Sequence, residues 1–227
     1  MKLNSYNNLL ELFFDQYKKQ DKNNIFLINL GNPKHKLSWE KTYLLVNHLS
    51  NQISKDIKLG DRCVLISENR PEWLISDLAI MLAGGIGVPS YTTYTTKDYE
   101  YIIKDCEPSV LIVSNNIQFN KIKNILDYKK IKKIISFDRL ENLNFQNYLC
   151  IEDIINKKDG FENFDSEISL KRSDPACIIY TSGTQGNPKG VILSHGGILS
   201  NCEGGYELLK SIISKEMKFL TWLKLSH

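Results

Sequence analysis

The sequence predicts an α/β fold in which strands and helices alternate and build a mainly parallel sheet. Short apolar runs recur along the chain, and glycine, proline or asparagine bounds most of them. Amphipathic segments with helical spacing separate these runs, which is the order expected of a parallel sheet covered on both faces. The chain has 227 residues, 42% of them hydrophobic and 24% charged, so it can bury a core of this kind.

The N-terminal part is predicted to hold two amphipathic helices around a short strand. Apolar side chains in residues 6–17 have helical spacing and define one buried face. The apolar run 25–30 predicts a strand, and the Gly31-Asn32-Pro33 sequence predicts the turn after it. A second helix is expected from about Glu40.

The middle of the chain repeats the two kinds of element in turn. Gly84 and Gly85 are expected to end one of the helices. Thr95 is a good N-cap, with Asp98 in the first turn of the helix that follows. Residues 156–173 are polar and charged and predict a surface connection. The predicted strands are 63–66, 86–89, 110–113 and 131–137, and the predicted helices are 72–82, 95–104 and 117–126.

Charge and cysteine usage exclude several classes of function. The net charge is only +3 and both signs are interspersed, so a nucleic-acid partner is not indicated. The densest basic cluster, residues 129–133, is interpreted as a solvated turn. Five widely spaced cysteines without a C-x-x-C pair argue against a zinc or redox site and favour a reducing compartment.

No targeting segment or membrane span is predicted. Residues 1–17 lack a continuous apolar core and carry Glu11 and Asp15, unlike a signal peptide. The longest apolar stretch, residues 73–88, contains Asp77 and three glycines and is too short to cross a bilayer. A cytoplasmic location is expected, and the sequence leaves peripheral membrane contact and the oligomeric state open.

The most informative stretch is a strand–loop–strand unit between Asp174 and His195. Its loop combines glycines, which expose backbone N–H groups, with hydroxyl side chains and one lysine. Successive N–H groups in such a loop form a concavity that favours anions, so the loop predicts a polyphosphate clamp. The candidate residues are Thr181, Ser182, Gly183, Thr184, Gln185, Gly186 and Lys189.

This loop differs from the Walker A loop of other nucleotide-binding proteins. A Walker A loop has Gly-Lys-Ser/Thr in succession and opens a helix. Here Lys189 lies between Pro188 and Gly190, and a strand is predicted to follow. A plain hairpin turn without a ligand is the simpler alternative, but a run of this composition is unusual for one.

The run Y-T-S-G-T-Q-G-N-P-K-G-V resembles the phosphate-loop signature of the adenylate-forming superfamily. This superfamily includes acyl-CoA synthetases, luciferases and peptide-synthetase adenylation domains. Gln185 stands where the signature usually has Thr or Ser. The stretches 37–40, 60–64, 81–94 and 193–195 also resemble the superfamily. The N-R-P-E-W sequence at 69–73 is similar to the long-chain acyl-CoA synthetase branch and favours a fatty acid as substrate.

The resemblance implies a fold, a reaction and a set of ligands. Residues 1–227 would be the N-terminal portion of an AMP-binding domain, without its remainder and without the C-terminal domain. The clamp residues would hold the ATP phosphates, with Mg²⁺ near Thr184. The fatty acid would be converted to an acyl-adenylate and then to a thioester of coenzyme A. His227, in a stretch similar to the family's P-L-S-H, becomes a candidate acyl-site residue, and no catalytic residue is assigned.

Three functional hypotheses remain at this point. The first is a long-chain fatty-acid–CoA ligase, of which the chain alone is expected not to form the thioester. The second is a non-catalytic relic or module that binds nucleotide phosphates. The third is another acid–CoA ligase or adenylation domain. The missing remainder of the domain is also expected to leave apolar surface exposed.

Overall fold

A mainly parallel sheet organises the chain, as the sequence predicts. The computed structural model describes residues 3–31, 35–155, 168–181, 188–213, 218–221 and 225. The strands are β1 Ile25–Asn29, β2 His35–Ser38, β3 Arg62–Ile66, β4 Ile86–Ser90, β5 Val110–Val113, β6 Lys133–Ser136, β7 Tyr148–Cys150, β8 Pro175–Thr181 and β9 Lys189–Ser194. The helices are a 3₁₀ turn Leu3–Ser5, α1 Leu9–Lys19, α2 Trp39–Ser54, α3 Pro71–Leu82, α4 Thr96–Cys106, α5 Asn116–Ile122, α6 Ile151–Ile155 and α7 His195–Leu209.

The strand order places β3 and β4 at the centre of the sheet. Across the described residues, seven strands pair in the order β7-β6-β5-β3-β4-β8-β9. All neighbours are parallel except β8 and β9, which pair in the antiparallel sense. Strands β1 and β2 form a separate antiparallel pair. The prediction of a mainly parallel α/β sheet is therefore confirmed.

Alternate residues of each central strand face two different apolar cores. In β5, Val110 and Ile112 pack with residues of α2 and α3, whereas Leu111 and Val113 pack with residues of α4 and α5. All four side chains are fully buried. This arrangement requires apolar side chains on both faces of the strand, which explains the continuous apolar runs in the sequence.

Several elements differ from the prediction. The sequence does not predict β2, β7 or α6, because each is short and none contains a long apolar run. Helix α5 ends at Ile122, before the predicted end at residue 126, and β6 is shorter than the predicted 131–137. Within β6, Lys133 is buried and forms an ion pair with Asp56 at 2.6 Å, so it does not belong to a solvated turn. Most of the predicted 156–173 connection lies outside the described residues.

The predicted helix boundaries at Thr95 and Gly84 are confirmed. The Thr95 side chain and backbone form a reciprocal capping box with Asp98 at the start of α4. Gly84 follows α3 with φ of +84°, in the left-handed region where residues with a Cβ are strained. A Cβ atom at Gly84 would also lie 2.5 Å from Ile168 Cδ1.

We expect Gly84→Ala to lower the free energy of unfolding by about 1–2 kcal/mol, because of its positive φ. Gly204→Ala is the matched control, since Gly204 lies inside α7 with open space around its missing Cβ. That change should stabilise the chain by about 0.5–1 kcal/mol, the helix preference for alanine. Urea unfolding of both variants measures the two values, and equal signs would contradict this account of Gly84.

Apolar side chains are exposed on β9 and near the C-terminal end of α7. Ile192 is 63% exposed and Leu208 is 83% exposed, so the expectation of an uncovered apolar surface is confirmed. Strand β9 is also the edge of the sheet within the described part of the chain. None of the described helices is both long enough and apolar enough to span a membrane.

Candidate functional site

The β8–β9 hairpin brings the two ends of the predicted phosphate clamp together. Thr181, the last residue of β8, pairs directly with Lys189, the first residue of β9. Both side chains are exposed. The structure therefore places Thr181 and Lys189 opposite each other at the base of the loop. The other five clamp candidates lie outside the described residues: Ser182, Gly183, Thr184, Gln185 and Gly186.

Lys189 provides a cation that no carboxylate among the described residues neutralises. Within the described residues, its ammonium forms no ion pair with a carboxylate, whereas many other lysines do. An exposed ammonium of this kind is hydrated and can exchange its water for phosphate oxygens. The site can therefore attract an anion to the base of the loop.

The two described residues of the predicted clamp lie at the carboxyl edge of the parallel strands. Strand β8 runs parallel to β4, so Thr181 ends at the same edge as Ser90 of β4. Open α/β sheets bind ligands outside this edge. The register pair between the two strands is Gly87 with Cys177, and a Cβ at Gly87 would lie 3.0 Å from Asp77 Oδ1.

Hydrogen bonds at Tyr180 attach the hairpin to helix α4 and to the loop before it, and we call this arrangement the Tyr180 brace. Its hydroxyl donates a 2.5 Å hydrogen bond to Asp105 Oδ2, and Tyr94 donates to the Tyr180 carbonyl at 3.1 Å. Burial and the Asp105 carboxylate both raise the pKa of Tyr180. The tyrosine thus stays protonated and fixes the backbone directly before Thr181.

Gly190 is required by the close packing of the same hairpin. It lies opposite Tyr180, and a Cβ at this position would meet Ile178 Cγ2 at 2.9 Å and the Tyr180 ring at 3.3 Å. The final glycine of the motif therefore has a packing role beside the clamp. This role is not predicted from the sequence, because it depends on a partner across the hairpin.

Replacing Tyr180 by phenylalanine should destabilise the chain by about 1 kcal/mol, the usual contribution of one hydrogen bond. The ring remains buried in the variant, so the change isolates the bond to Asp105. Tyr128→Phe serves as the control, because its hydroxyl bonds to the Lys123 carbonyl at an exposed position. Urea unfolding should show a loss for the first variant alone, and equal losses would argue against the brace.

His195 supports the hairpin from the other end. Strand β9 leads directly into α7, whose N-cap Ser194 accepts a hydrogen bond from the Gly197 amide. His195 is 1% exposed, and its Nδ1 accepts from the Leu9 amide. Burial lowers the pKa of His195, so the imidazole remains neutral. His195 therefore has a structural role beside the hairpin.

The N-R-P-E-W stretch builds the start of α3. Pro71 occupies the first turn of the helix, and Trp73 is 7% exposed in the larger core. Arg70 forms two hydrogen bonds to Asp138, at 2.8 and 2.9 Å, and a further ion pair with Glu72. Pro71 and Arg70 therefore form the start of the helix, and Trp73 is a packing anchor.

Asn69, in the same stretch, contacts a distant part of the chain. Its amide bonds to the backbone of Thr221 and Leu225. These contacts are not predicted from the sequence, although Asn69 belongs to the N-R-P-E-W motif. His227, the candidate acyl-site residue, lies outside the described residues.

The predicted Mg²⁺ contact is not among the described residues. No group of three His, Cys, Asp or Glu side chains within the described ranges could hold a metal ion. Thr184, the candidate contact for Mg²⁺, lies outside these ranges. The described side of the clamp offers a hydroxyl and an ammonium group, which suit phosphate oxygens.

Comparison with known proteins identifies the family. The family described as AMP-binding enzyme matches residues 13–227. The chain is 31% identical over 207 residues to the long-chain-fatty-acid–CoA ligase ACSBG2 of Xenopus laevis, covering 87% of this chain and 28% of that protein. It is 27% identical over 175 residues to the long-chain-fatty-acid–CoA ligase FadD15 of Mycobacterium tuberculosis, covering 77% of this chain and 29% of the relative.

A solved structure is also similar to this chain. The ATP-bound RpMatB-BxBclM chimera B3 superimposes with a TM-score of 0.70 at 25% identity, covering 92% of this chain and 38% of that one. The chain spans less than a third of the length of the two curated relatives above. Because the family match extends over most of the sequence, the chain belongs to the AMP-binding enzyme family.

Proposed function

We propose that the chain carries the ATP-phosphate clamp of a long-chain fatty-acid–CoA ligase. The observation that carries the proposal is the hairpin that places Thr181 opposite Lys189 at the carboxyl edge of the sheet. Two relatives named as long-chain-fatty-acid–CoA ligases support the substrate class. The ATP bound to the similar chimera supports the nucleotide.

The proposed reaction has two steps. In the first, a carboxylate oxygen of the fatty acid bonds to the α-phosphorus of ATP, and the bond to the pyrophosphate oxygen breaks. In the second, the deprotonated sulfur of coenzyme A bonds to the acyl carbonyl carbon, and AMP leaves. Pyrophosphate departs with developing negative charge, so the Lys189 ammonium beside its oxygens lowers the barrier by electrostatic stabilisation.

Thr181 and Lys189 have separate roles in this proposal. Thr181 donates its hydroxyl hydrogen to a phosphate oxygen, and the brace at Tyr180 fixes the backbone from which it projects. Lys189 supplies charge, and its strand position opposite Thr181 keeps that charge at the base of the loop. Mg²⁺ supplies further charge neutralisation when it accompanies ATP, with Thr184 as its proposed contact.

The test is pyrophosphate exchange by the protein produced from the whole reading frame that contains this sequence. Labelled pyrophosphate should enter ATP only when a carboxylic acid substrate is present. A panel of long-chain fatty acids, aryl acids and amino acids separates the proposed ligase from other adenylating enzymes. Exchange with fatty acids is the expected result, and exchange with aryl or amino acids alone would contradict the substrate class.

A second measurement addresses the extent of the protein. Mass spectrometry of the source cells should detect peptides that continue in frame beyond His227. Such peptides would support the ligase, because the curated relatives are more than three times as long as their matched segments. A mature protein that ends at His227 and binds ATP without exchange would instead favour the non-catalytic module.

A further inference from the structure

Residues near the N-terminus contact the start of α7, the helix that directly follows the strand carrying Lys189. The first amide of α1, at Leu9, donates to His195 Nδ1 at 3.4 Å. The side chain of Asn8, the N-cap of α1, donates to the Leu170 carbonyl at 2.9 Å. These partners lie 186 and 162 residues apart along the sequence. The start of α1, the segment before β8 and the start of α7 therefore meet at one place.

Arg172 joins all three of these segments. Its guanidinium donates to the Tyr6 carbonyl at 2.7 Å, and to the Gly196 carbonyl and the Ser200 hydroxyl at 3.3 Å each. The Arg172 carbonyl accepts in turn from the Gly196 amide at 2.8 Å. One arginine can serve three acceptors because its guanidinium carries five N–H donors in a planar fork. We call this meeting point the N-terminal junction, which comprises residues 6–9, 170–172 and 195–200.

Close packing accompanies the hydrogen bonds of the N-terminal junction. A Cβ atom at Gly196 would lie 2.9 Å from the Arg172 carbonyl oxygen, so the close approach of the two backbones requires glycine here. The preceding residue, His195, is buried, and so is Leu3. The 3₁₀ turn that contains Leu3 also contacts α7. The start of α7 is therefore held firmly against the N-terminal segment.

The strand that carries Lys189 depends on this junction because little else covers it. Strand β9 is the edge of the sheet within the described residues, and β8 is the strand with which it pairs. Its first four residues are exposed. Its last residue, Ser194, is the N-cap of α7. Pairing with β8 therefore holds the length of β9, whereas the N-terminal junction holds its end.

We propose that Arg172 is a positioning residue for the phosphate clamp. By tying the start of α7 to the N-terminal segment, Arg172 fixes the end of β9 and so the direction in which this strand presents Lys189. The Tyr180 brace fixes the neighbouring strand near the loop, so the two attachments act at opposite ends of the hairpin. The consequence for ATP rests on the proposed function, whereas the attachment of the hairpin rests on the described contacts alone.

Arg62 provides a matched control. Its guanidinium also donates three hydrogen bonds, to the carbonyls of Cys106 at 2.6 Å, Gly60 at 3.4 Å and Glu107 at 3.3 Å. These bonds join β3 to the end of α4 and do not involve the N-terminal junction. Arg62→Ala therefore removes the same number of bonds and corrects for a general loss of stability.

The structural arm measures amide hydrogen exchange by NMR in the 227-residue chain. Arg172→Ala should speed exchange about tenfold at the β9 amides that bond to β8, because the edge strand frays once its end is released. Arg62→Ala should change exchange at these amides by less than about twofold. Arg172→Lys can keep one of the three bonds, so it should give an intermediate rate and tests the inference even if Arg172→Ala does not fold. Unchanged exchange in β9 of the Arg172 variants would overturn the inference.

The binding arm titrates the same chains with ATP in a calorimeter. Arg172→Ala should weaken ATP binding about fivefold, the effect expected of a residue that acts on a site through its support, and Arg62→Ala by less than about twofold. Bound ATP should in return slow exchange at the Gly196 amide of the wild type, because coupling between two sites acts in both directions. Faster exchange in β9 with an unchanged affinity for ATP would overturn the positioning role. A wild-type chain that binds no ATP would contradict the proposed clamp, and exchange in β9 would still decide whether the N-terminal junction holds the hairpin.

Discussion

Replacing Lys189 by methionine is expected to weaken ATP binding by about 10- to 100-fold, the effect of losing one charge-assisted hydrogen bond. Methionine keeps the length and apolar stem of the side chain but removes the positive charge. Because Lys189 is exposed and pairs across the hairpin with Thr181, the change should leave the β8–β9 ladder intact. Calorimetric titration of the 227-residue chain with ATP measures the loss directly.

Lys36→Met is the matched control for Lys189→Met. Lys36 is also an exposed lysine in an antiparallel pair, opposite Ile28 in the β1–β2 hairpin. Its removal subtracts the same charge from the protein, so it corrects for long-range electrostatics. Affinity for ATP should then change by less than about twofold, since exposed charges beyond the Debye length are screened. Equal losses in the two variants would show that Lys189 acts only through net charge.

Varying the salt concentration provides a second test of the same prediction. The advantage of the wild-type chain over Lys189→Met should shrink as ionic strength rises, because added salt screens the attraction between ammonium and phosphate. The Lys36→Met comparison should show little salt dependence. A wild-type advantage that persists undiminished in high salt would indicate a packing role for the lysine stem.

Local patterns in the sequence predict much of this fold, and the reason is visible in the central strands. Strands β3 and β5 are apolar over nearly their full length because both faces are covered, so their runs stand out. Strands β2 and β7 have no such run, since each is short and only partly buried. The order of the strands is set by contacts between distant segments, and one sequence contains no direct record of them.

The candidate site also combines residues that the sequence predicts with contacts that it does not predict. Thr181 and Lys189 were predicted from a contiguous motif, because the residues that meet at the hairpin are also close in sequence. The brace from Tyr180 to Asp105 spans 75 residues and could not be read from either segment. Asn69 belongs to a visible motif, yet its partners are set by the path of the folded chain. A contiguous motif thus predicts the candidate clamp residues, whereas the contacts that support them appear only in the folded chain.

Asp77→Asn is expected to remove a pH-dependent loss of stability. Asp77 lies on α3 beside Gly87 of β4, and its charge contributes to the raised pKa of the neighbouring Cys177 thiol after burial itself. Burial raises the pKa of Asp77 to about 7. An unfolded chain releases this proton near pH 4, the ordinary value for an aspartate. Between these values the native state therefore binds more protons than the unfolded state.

The sign of the effect follows from that difference. Stability falls as pH rises wherever the native state holds the extra proton, so Asp77 destabilises the chain progressively from about pH 4 to 7. Each pKa unit corresponds to about 1.4 kcal/mol, which sets an upper limit of about 4 kcal/mol for the full shift. We expect a total loss of stability of about 2–3 kcal/mol, because the Asp77 side chain is only partly buried and water reaches part of it.

The experiment compares urea unfolding of the wild type and Asp77→Asn at pH 5 and pH 8. The variant cannot ionise, so its advantage over the wild type should grow by about 1 kcal/mol between these values, because about 1.4 kcal/mol of the loss has already occurred below pH 5. Glu100→Gln, which removes an exposed carboxylate from α4, should show no such growth. A constant difference for Asp77→Asn would mean that the carboxylate is as well solvated in the native state as in the unfolded chain. A growing difference would show that ionisation of Asp77 destabilises the fold beside the Gly87–Cys177 pair that joins β8 to β4, and so beside the strand that carries Thr181 of the proposed clamp.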